Sequence, residues 1–427
     1  MDTGIGNFES KAIKAVFLAL LVWTLGATTY HAATTEHSPI RGIDFKVYYS
    51  AAARLNEGKS LYAEEYRQVD TYLYSPALAI ALRPLAQKPF LPALKLWSAV
   101  MVIVFLASIA MFAAAARIAW HHAVTLGVIL LVGFRFWPTI MSFGLGQVDA
   151  VLLALVCGML LAANRGHLRT AAVCIALAAS IKVWMAGLGV YLLIRRAWVA
   201  AACCVATFAL LMVAGFSIVG WNELPGYLET IRGNTEQQGL VSQSLPGFAR
   251  LRFAENVHVI PITTNHGIYL AVIGAGLLAV LAALVYLSLL PPARTERDGL
   301  LRGGFVVLSL VLLLPLCHTA YFILSLPLIW TLLALPRPEG KKLPVLIGII
   351  LIYALFTRVW PVTSPGLKLE GSAWQHLMLS GYFYAGVALW LLTLGEISFA
   401  QPRRGRVKNS MTEERGMHVP STIVTGS

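Results

Sequence analysis

Lys182 lies midway along an apolar stretch of about 25 residues, bracketed by Arg165/Arg169 and Arg195/Arg196. An ammonium at that depth in a membrane is costly and usually functional. No carboxylate stands within a helical turn or two along the sequence, so the residue reads as a cation that faces an anion. His318 is a second titratable group inside an apolar run, although a lone histidine there is often a satisfied core group. Asp44 follows the first apolar segment in Arg41-Gly-Ile-Asp-Phe-Lys-Val-Tyr-Tyr. It is either a reactive carboxylate, a helix N-cap or a solvated charge. In Gly144-Leu-Gly-Gln-Val-Asp149, the cap reading is favoured for Asp149, with Gln147 beside it. Ser242-Gln-Ser-Leu-Pro-Gly-Phe-Ala-Arg250-Leu-Arg252 combines polar donors with two guanidinium groups. Arginine suits bidentate phosphate binding, and the alternative is a basic turn facing lipid headgroups.

The elements that must carry these residues are apolar helices. Charge punctuation separates runs at about 13–33, 92–116, 123–134, 147–163, 170–194, 197–219, 265–290, 303–335, 343–357 and 375–395. Trp137-Pro138 breaks the chain after the third run. Short basic clusters belong on the cytoplasmic side. Arg165/Arg169 and Arg195/Arg196 therefore want the same side, which one full span between them forbids. Two half-length helices meeting near Lys182 satisfy both. The same logic puts a tip near Pro315–His318. Such tips need a cavity lined by protein, so the expectation is an outward-opening cavity with Lys182 and His318 at its floor. Counting each hairpin as two helices gives an all-α polytopic protein of about 12 transmembrane helices, some half-length, with both termini cytoplasmic.

Residues 1–400 read as one transmembrane unit, with polar outer stretches at about 34–91, 220–264 and 358–374. Residues 401–427 read as a basic cytoplasmic tail without fixed structure. The first segment is expected to be an anchor, since its apolar run exceeds that of a signal peptide. In the first outer stretch, Phe45, Tyr48, Tyr49, Ala52 and Leu55 share a helical face, with Lys46, Arg54 and Glu57 on another and Gly58 as C-cap. That predicts an amphipathic helix on the membrane surface. Tyr72 and Tyr74, in Tyr-Leu-Tyr-Ser-Pro, read as an interfacial aromatic belt.

Composition excludes several classes. Of 427 residues, 58% are hydrophobic and 12% charged, with a mean hydropathy of +0.72. Soluble domains carry about 25% charged residues, so a soluble enzyme and a disordered chain are both excluded. The net charge of +13 falls between apolar runs, where orientation and anionic lipid account for it, and no nucleic-acid-binding pattern occurs. The five cysteines show neither zinc spacing nor a disulfide framework.

The order of motifs resembles glycosyltransferase family 87, polytopic enzymes of the GT-C type. It runs GIDFKVYYSAAARLNEGKSLY, YLYSPALAIALRPLA, GQVDAVLLAL, ALAASIKVWM followed by LLIRRAW, SQSLPGFARLRF and CHTAYFILSLPLIW. The pattern departs from the family's usual Asn at Asp149 and at Ser242, and Val183-Trp184 replaces the usual proline after the lysine. The resemblance implies transfer of a hexose, often mannose, from a polyprenyl-phosphate donor to a lipid or glycan acceptor. The implied site faces outward from the bacterial inner membrane. Asp44 would then be the base that inverts the anomeric centre. Lys182, His318 and Arg250 would meet the departing phosphate, and Tyr48, Tyr74, Gln147, Gln243 and Ser244 are substrate-binding candidates. No Asp-x-Asp motif appears, so neither a metal nor a cofactor is expected beyond the lipid-linked co-substrate. A flippase or a polymerase of lipid-linked glycans would carry a similar cavity. The absence of a visible inverted repeat weighs against a transporter.

Overall fold

The computed structural model describes residues 41–66, 71–119, 121–233, 242–255, 259–335, 342–357 and 371–399. The expected first anchor and the C-terminal tail lie outside the described residues. Every regular element among the described residues is helical. In chain order they begin with α1 (Ile43–Asn56), α2 (Pro76–Leu82), α3 (Phe90–Ala115), α4 (Ala123–Arg135) and α5 (Trp137–Leu145). Then follow α6 (Asp149–Asn164), α7 (Leu168–Ile181), α8 (Gly189–Ile194), α9 (Trp198–Val219), α10 (Glu223–Gly233) and α11 (Leu245–Phe253). The last are α12 (His266–Leu289), α13 (Glu296–Leu313), α14 (Leu326–Ala334), α15 (Lys342–Thr357), α16 (Ala373–Met378) and α17 (Gly381–Phe399).

Among the described residues, α3, α9, α12 and α17 are long and apolar enough to cross a membrane, and α4 with α5 form one further candidate bent by 55°. Pro138 at the start of α5 sets that bend, since it has no amide hydrogen to continue the ladder of α4. The chain is a membrane-embedded helical protein, and the remaining apolar helices are short.

The break expected at Lys182 is present. α7 ends at Ile181, Lys182 is extended (φ −119°, ψ 108°), and a 3₁₀ segment, Val183–Leu188, leads into α8. Residues 166–170 and 196–200 line one cleft of about 650 Å³, so the two arginine pairs end together. The chain therefore enters and leaves at one end, with Lys182 at the turn. A second break at residues 314–318 separates α13 from a 3₁₀ segment, Thr319–Ser325, that runs into α14.

Small side chains let α6 and α7 approach. Ala162, Ala163, Ala171, Ala172, Ala176 and Ala179 are all buried. In lipid such close van der Waals packing replaces hydrophobic burial as the force between helices. α3 lies along α6, and α9 along α7, which makes these four the frame of the site. The two polar stretches are tied together as well. Glu223 of α10 accepts hydrogen bonds from Ser60 Oγ (2.9 Å) and the Leu61 amide (3.1 Å).

Candidate active site

Two glycines bring the Asp44 segment onto the frame. Gly42 and Gly146 both occupy the left-handed region (φ +67° and +71°). The Gly42 amide donates to the Gly144 carbonyl at 2.9 Å, and Trp97 Nε1 donates to the Gly146 carbonyl at 2.9 Å. A Cβ on Gly146 would stand 2.7 Å from the Cβ of Phe45. This contact sets the start of α1 against the turn between α5 and α6, so Asp44 and Gln147 become neighbours although 103 residues separate them.

Gly146→Ala is expected to lower the apparent Tm in detergent by several degrees and to reduce activity. The left-handed conformation alone costs a residue with a Cβ about 1–2 kcal/mol, and Phe45, stacked on Trp97, has little freedom to yield. A wild-type Tm for this variant would show that α1 is not seated by this contact.

α1 has the expected apolar face, with Phe45, Tyr48 and Ala52 buried, and that face packs against protein, where Phe45 stacks on Trp97 and Tyr48 meets Tyr74. Arg54, placed by helical periodicity on the other face, is buried as well. Gly58 has the expected left-handed turn after the helix end. Asp44 is not a cap, because Gly42 holds that position and no side chain caps the helix.

Around Asp44 the polar groups form a chain. Gln147 Nε2 donates to Asp44 Oδ2 at 2.6 Å. Gln147 Oε1 accepts from the Tyr48 hydroxyl at 3.0 Å and from Lys182 Nζ at 3.3 Å. The Tyr48 and Tyr74 hydroxyls are 2.8 Å apart. Lys182 Nζ makes an ion pair with Asp149 Oδ1 at 2.7 Å and sits 4.0 Å above the Tyr321 ring. Lys182 and Asp149 are only 4% and 1% exposed, so the pair is fully withdrawn from solvent. Burial pushes the Asp44 carboxyl up to about 6, with the Lys182 charge and the Gln147 hydrogen bond pulling in the opposite direction.

Two expectations are corrected here. Lys182 is not an ammonium without a partner on an open cavity floor. Asp149 neutralises it, and Tyr74 and Tyr321 close over it. Nor is Asp149 a cap: it is the first residue of α6, with no side-chain cap bond, and its carboxylate turns to Lys182. Sequence distance hid the pair, since 33 residues separate its members.

The tyrosines of the expected interfacial belt are also internal. Tyr72 is 2% and Tyr74 9% exposed. The Tyr72 hydroxyl donates to the Ser75 carbonyl, and the Ser75 hydroxyl donates to the carbonyl of Ser180, at the end of α7. This segment therefore steadies the break that presents Lys182.

The remaining candidates divide. His318 packs its ring edge on Tyr321 (5.8 Å between centroids), and Tyr321 stacks on Trp184, so His318 borders the cluster. Gln243 and Ser244 serve the scaffold. The Gln243 amide donates to the Cys317 carbonyl at 2.7 Å and its side chain to the Leu379 carbonyl at 2.7 Å, while Ser244 caps α11. Ser242 Oγ accepts from the Cys317 amide at 3.1 Å, which holds the tip that carries His318. Arg250 is part-exposed on α11. Its neighbour Arg252 docks α11 onto the chain ahead of α17 through Ser380 Oγ (3.0 Å) and onto α17 through the Tyr384 hydroxyl (2.8 Å). Tyr321 and Asp149 are the site residues that sequence reading missed as such.

A profile of glycosyltransferase family 87 matches residues 72–315. This range contains Gln147, Asp149 and Lys182 and begins after Asp44. A polyprenol-phosphate-mannose-dependent alpha-(1-2)-phosphatidylinositol pentamannoside mannosyltransferase of Mycolicibacterium smegmatis is 26% identical over 375 residues, which cover 85% of this chain and 86% of the relative.

Proposed function

The chain belongs to glycosyltransferase family 87, and on that premise we propose that it moves a hexose, in our reading mannose, from a polyprenyl phosphate to a lipid or glycan hydroxyl. The reaction takes place on the outer face of the bacterial inner membrane, where a polyprenyl donor presents its phosphate at headgroup depth. The observation that carries this reading is one cluster holding a positioned carboxylate, Asp44, beside a buried cation, Lys182.

The two charges suit the two halves of the transfer. Asp44 takes the proton of the acceptor hydroxyl as its oxygen bonds to the anomeric carbon. The bond from that carbon to the phosphate oxygen breaks on the opposite side, so the configuration inverts. The polyprenyl phosphate leaves with the bonding electrons, and Lys182 balances the charge that develops there. Arg250 as a further cation and His318 as a hydrogen-bond donor are the groups that we place toward the phosphate, and Tyr48 and Tyr74 wall the sugar side. The half-length hairpins at Lys182 and at residues 314–318 are read as the membrane-depth tips of a bundle of about 12 helices.

Purified protein incubated with polyprenyl-phosphate mannose and a panel of mannolipid and glycan acceptors is expected to add one hexose to an acceptor, read by mass spectrometry. Translocation of the donor across vesicles without any transferred sugar would replace the transferase reading with a flippase.

A further inference from the structure

Gln147 was expected to touch substrate, and its surroundings give it other work. It is 3% exposed, and both ends of its amide are already engaged inside the protein. We propose that Gln147 is a positioning residue, which ties the buried Lys182–Asp149 pair to Asp44 and fixes the carboxylate oxygen that meets the acceptor. The proposal rests on the reading of Asp44 as the base.

The two charges dictate the orientation of the amide. Its oxygen faces the Lys182 ammonium and its NH₂ faces the Asp44 carboxylate. The flipped amide would point hydrogens at an ammonium and an oxygen at a carboxylate, which is repulsive at both ends. A cation at the carbonyl also polarises the amide, so its N–H becomes a stronger donor. The resulting 2.6 Å bond occupies Asp44 Oδ2 and leaves Oδ1 for the acceptor proton. The backbone supports this arrangement on both sides. The Gln147 amide donates to the Ser142 carbonyl at 2.8 Å, Gly146 makes the tight turn before it, and α6 starts two residues after it. Tyr48, one turn after Asp44 on α1, holds the same carbonyl oxygen, so α1 grips both ends of the amide.

Two variants of near-equal shape separate the functions of the amide. Ionised, Gln147→Glu keeps an acceptor for Lys182 and sets a like charge in place of the donor to Asp44, whereas Gln147→Met removes both without adding a charge. Loss of the donor leaves the Asp44 carboxylate less stabilised, so the acid limb of the rate profile should move to higher pH in both variants. The kcat should fall about 10²-fold, as for a misplaced reacting group, while the donor KM of Gln147→Met, which adds no charge beside Lys182, stays at the wild-type value. Protein with a wild-type Tm and an unshifted acid limb would overturn the proposal. So would a raised donor KM with the limb in place, which would make Gln147 a donor contact. If only Gln147→Met folds, its limb and its donor KM together decide between these outcomes. Asp44→Asn, run alongside, keeps the two readings apart. Wild-type turnover by that variant rejects the base, whereas an inactive Asp44→Asn with silent Gln147 variants rejects only the positioning.

Discussion

Asp44→Asn is expected to lower turnover by about 10²–10⁴-fold, the usual cost of removing a general base, while expression and donor binding stay near wild type. Asparagine keeps an oxygen that can accept from Gln147 Nε2, so the local hydrogen bond survives and only the basicity is lost. The substitution therefore tests chemistry rather than folding. A pH profile of the wild-type enzyme adds an independent reading. Burial holds the Asp44 carboxyl at about 6, above the ordinary carboxylate range. A base must be ionised to act, so the rate should reach a plateau above pH 6 and fall as the pH drops through that value. A profile that stays flat down to the ordinary carboxylate range, or wild-type turnover by Asp44→Asn, would remove this residue from the mechanism.

Much of the frame was legible in the sequence because it depends on local rules. Apolar runs punctuated by charge placed α3, α6, α9 and α12 within a few residues. The break at Lys182 followed from two arginine pairs that both required the same side, and the cleft shared by residues 166–170 and 196–200 places them at one end. The site was legible only by residue type. Nothing local says that Gly146 would seat against Phe45, or that Asp149 would meet a lysine 33 residues later. A helix-start carboxylate and a counter-ion look alike in a linear reading. Tyr72 and Tyr74 misled for a related reason. Aromatic residues beside a span suit the interface, yet these two are drawn inward by hydrogen bonds to Ser75 and Tyr48. Helical periodicity sets Arg54 on the polar face of α1 with Lys46 and Glu57, and contacts beyond the helix bury it, with its guanidinium 4.2 Å from the centre of the Tyr66 ring.

The ion pair changes what substitution of Lys182 should do. Had the ammonium no counter-ion, Lys182→Met would cost donor affinity and little else. With Asp149 at 2.7 Å and both side chains buried, the same change strands a carboxylate whose other oxygen already has no hydrogen-bond partner among the described residues. Removing one member of a buried pair costs about 3–5 kcal/mol, because the surviving charge is uncompensated. Lys182→Met is therefore expected to lower both yield and apparent Tm sharply. Lys182→Met combined with Asp149→Asn leaves no net charge behind, and its Tm should return toward wild type. Turnover should not return, because the double variant still lacks the cation that we assign to the phosphate. Full activity in the double variant would free Lys182 from that role and leave it a structural partner of Asp149. Asp149→Asn alone makes the complementary test. It strands the ammonium between the Tyr74 and Tyr321 rings without its ion-pair partner, so it too should lower the apparent Tm. If Lys182 meets the donor phosphate, this variant should bind donor more tightly than wild type. An unchanged donor affinity would place the phosphate elsewhere.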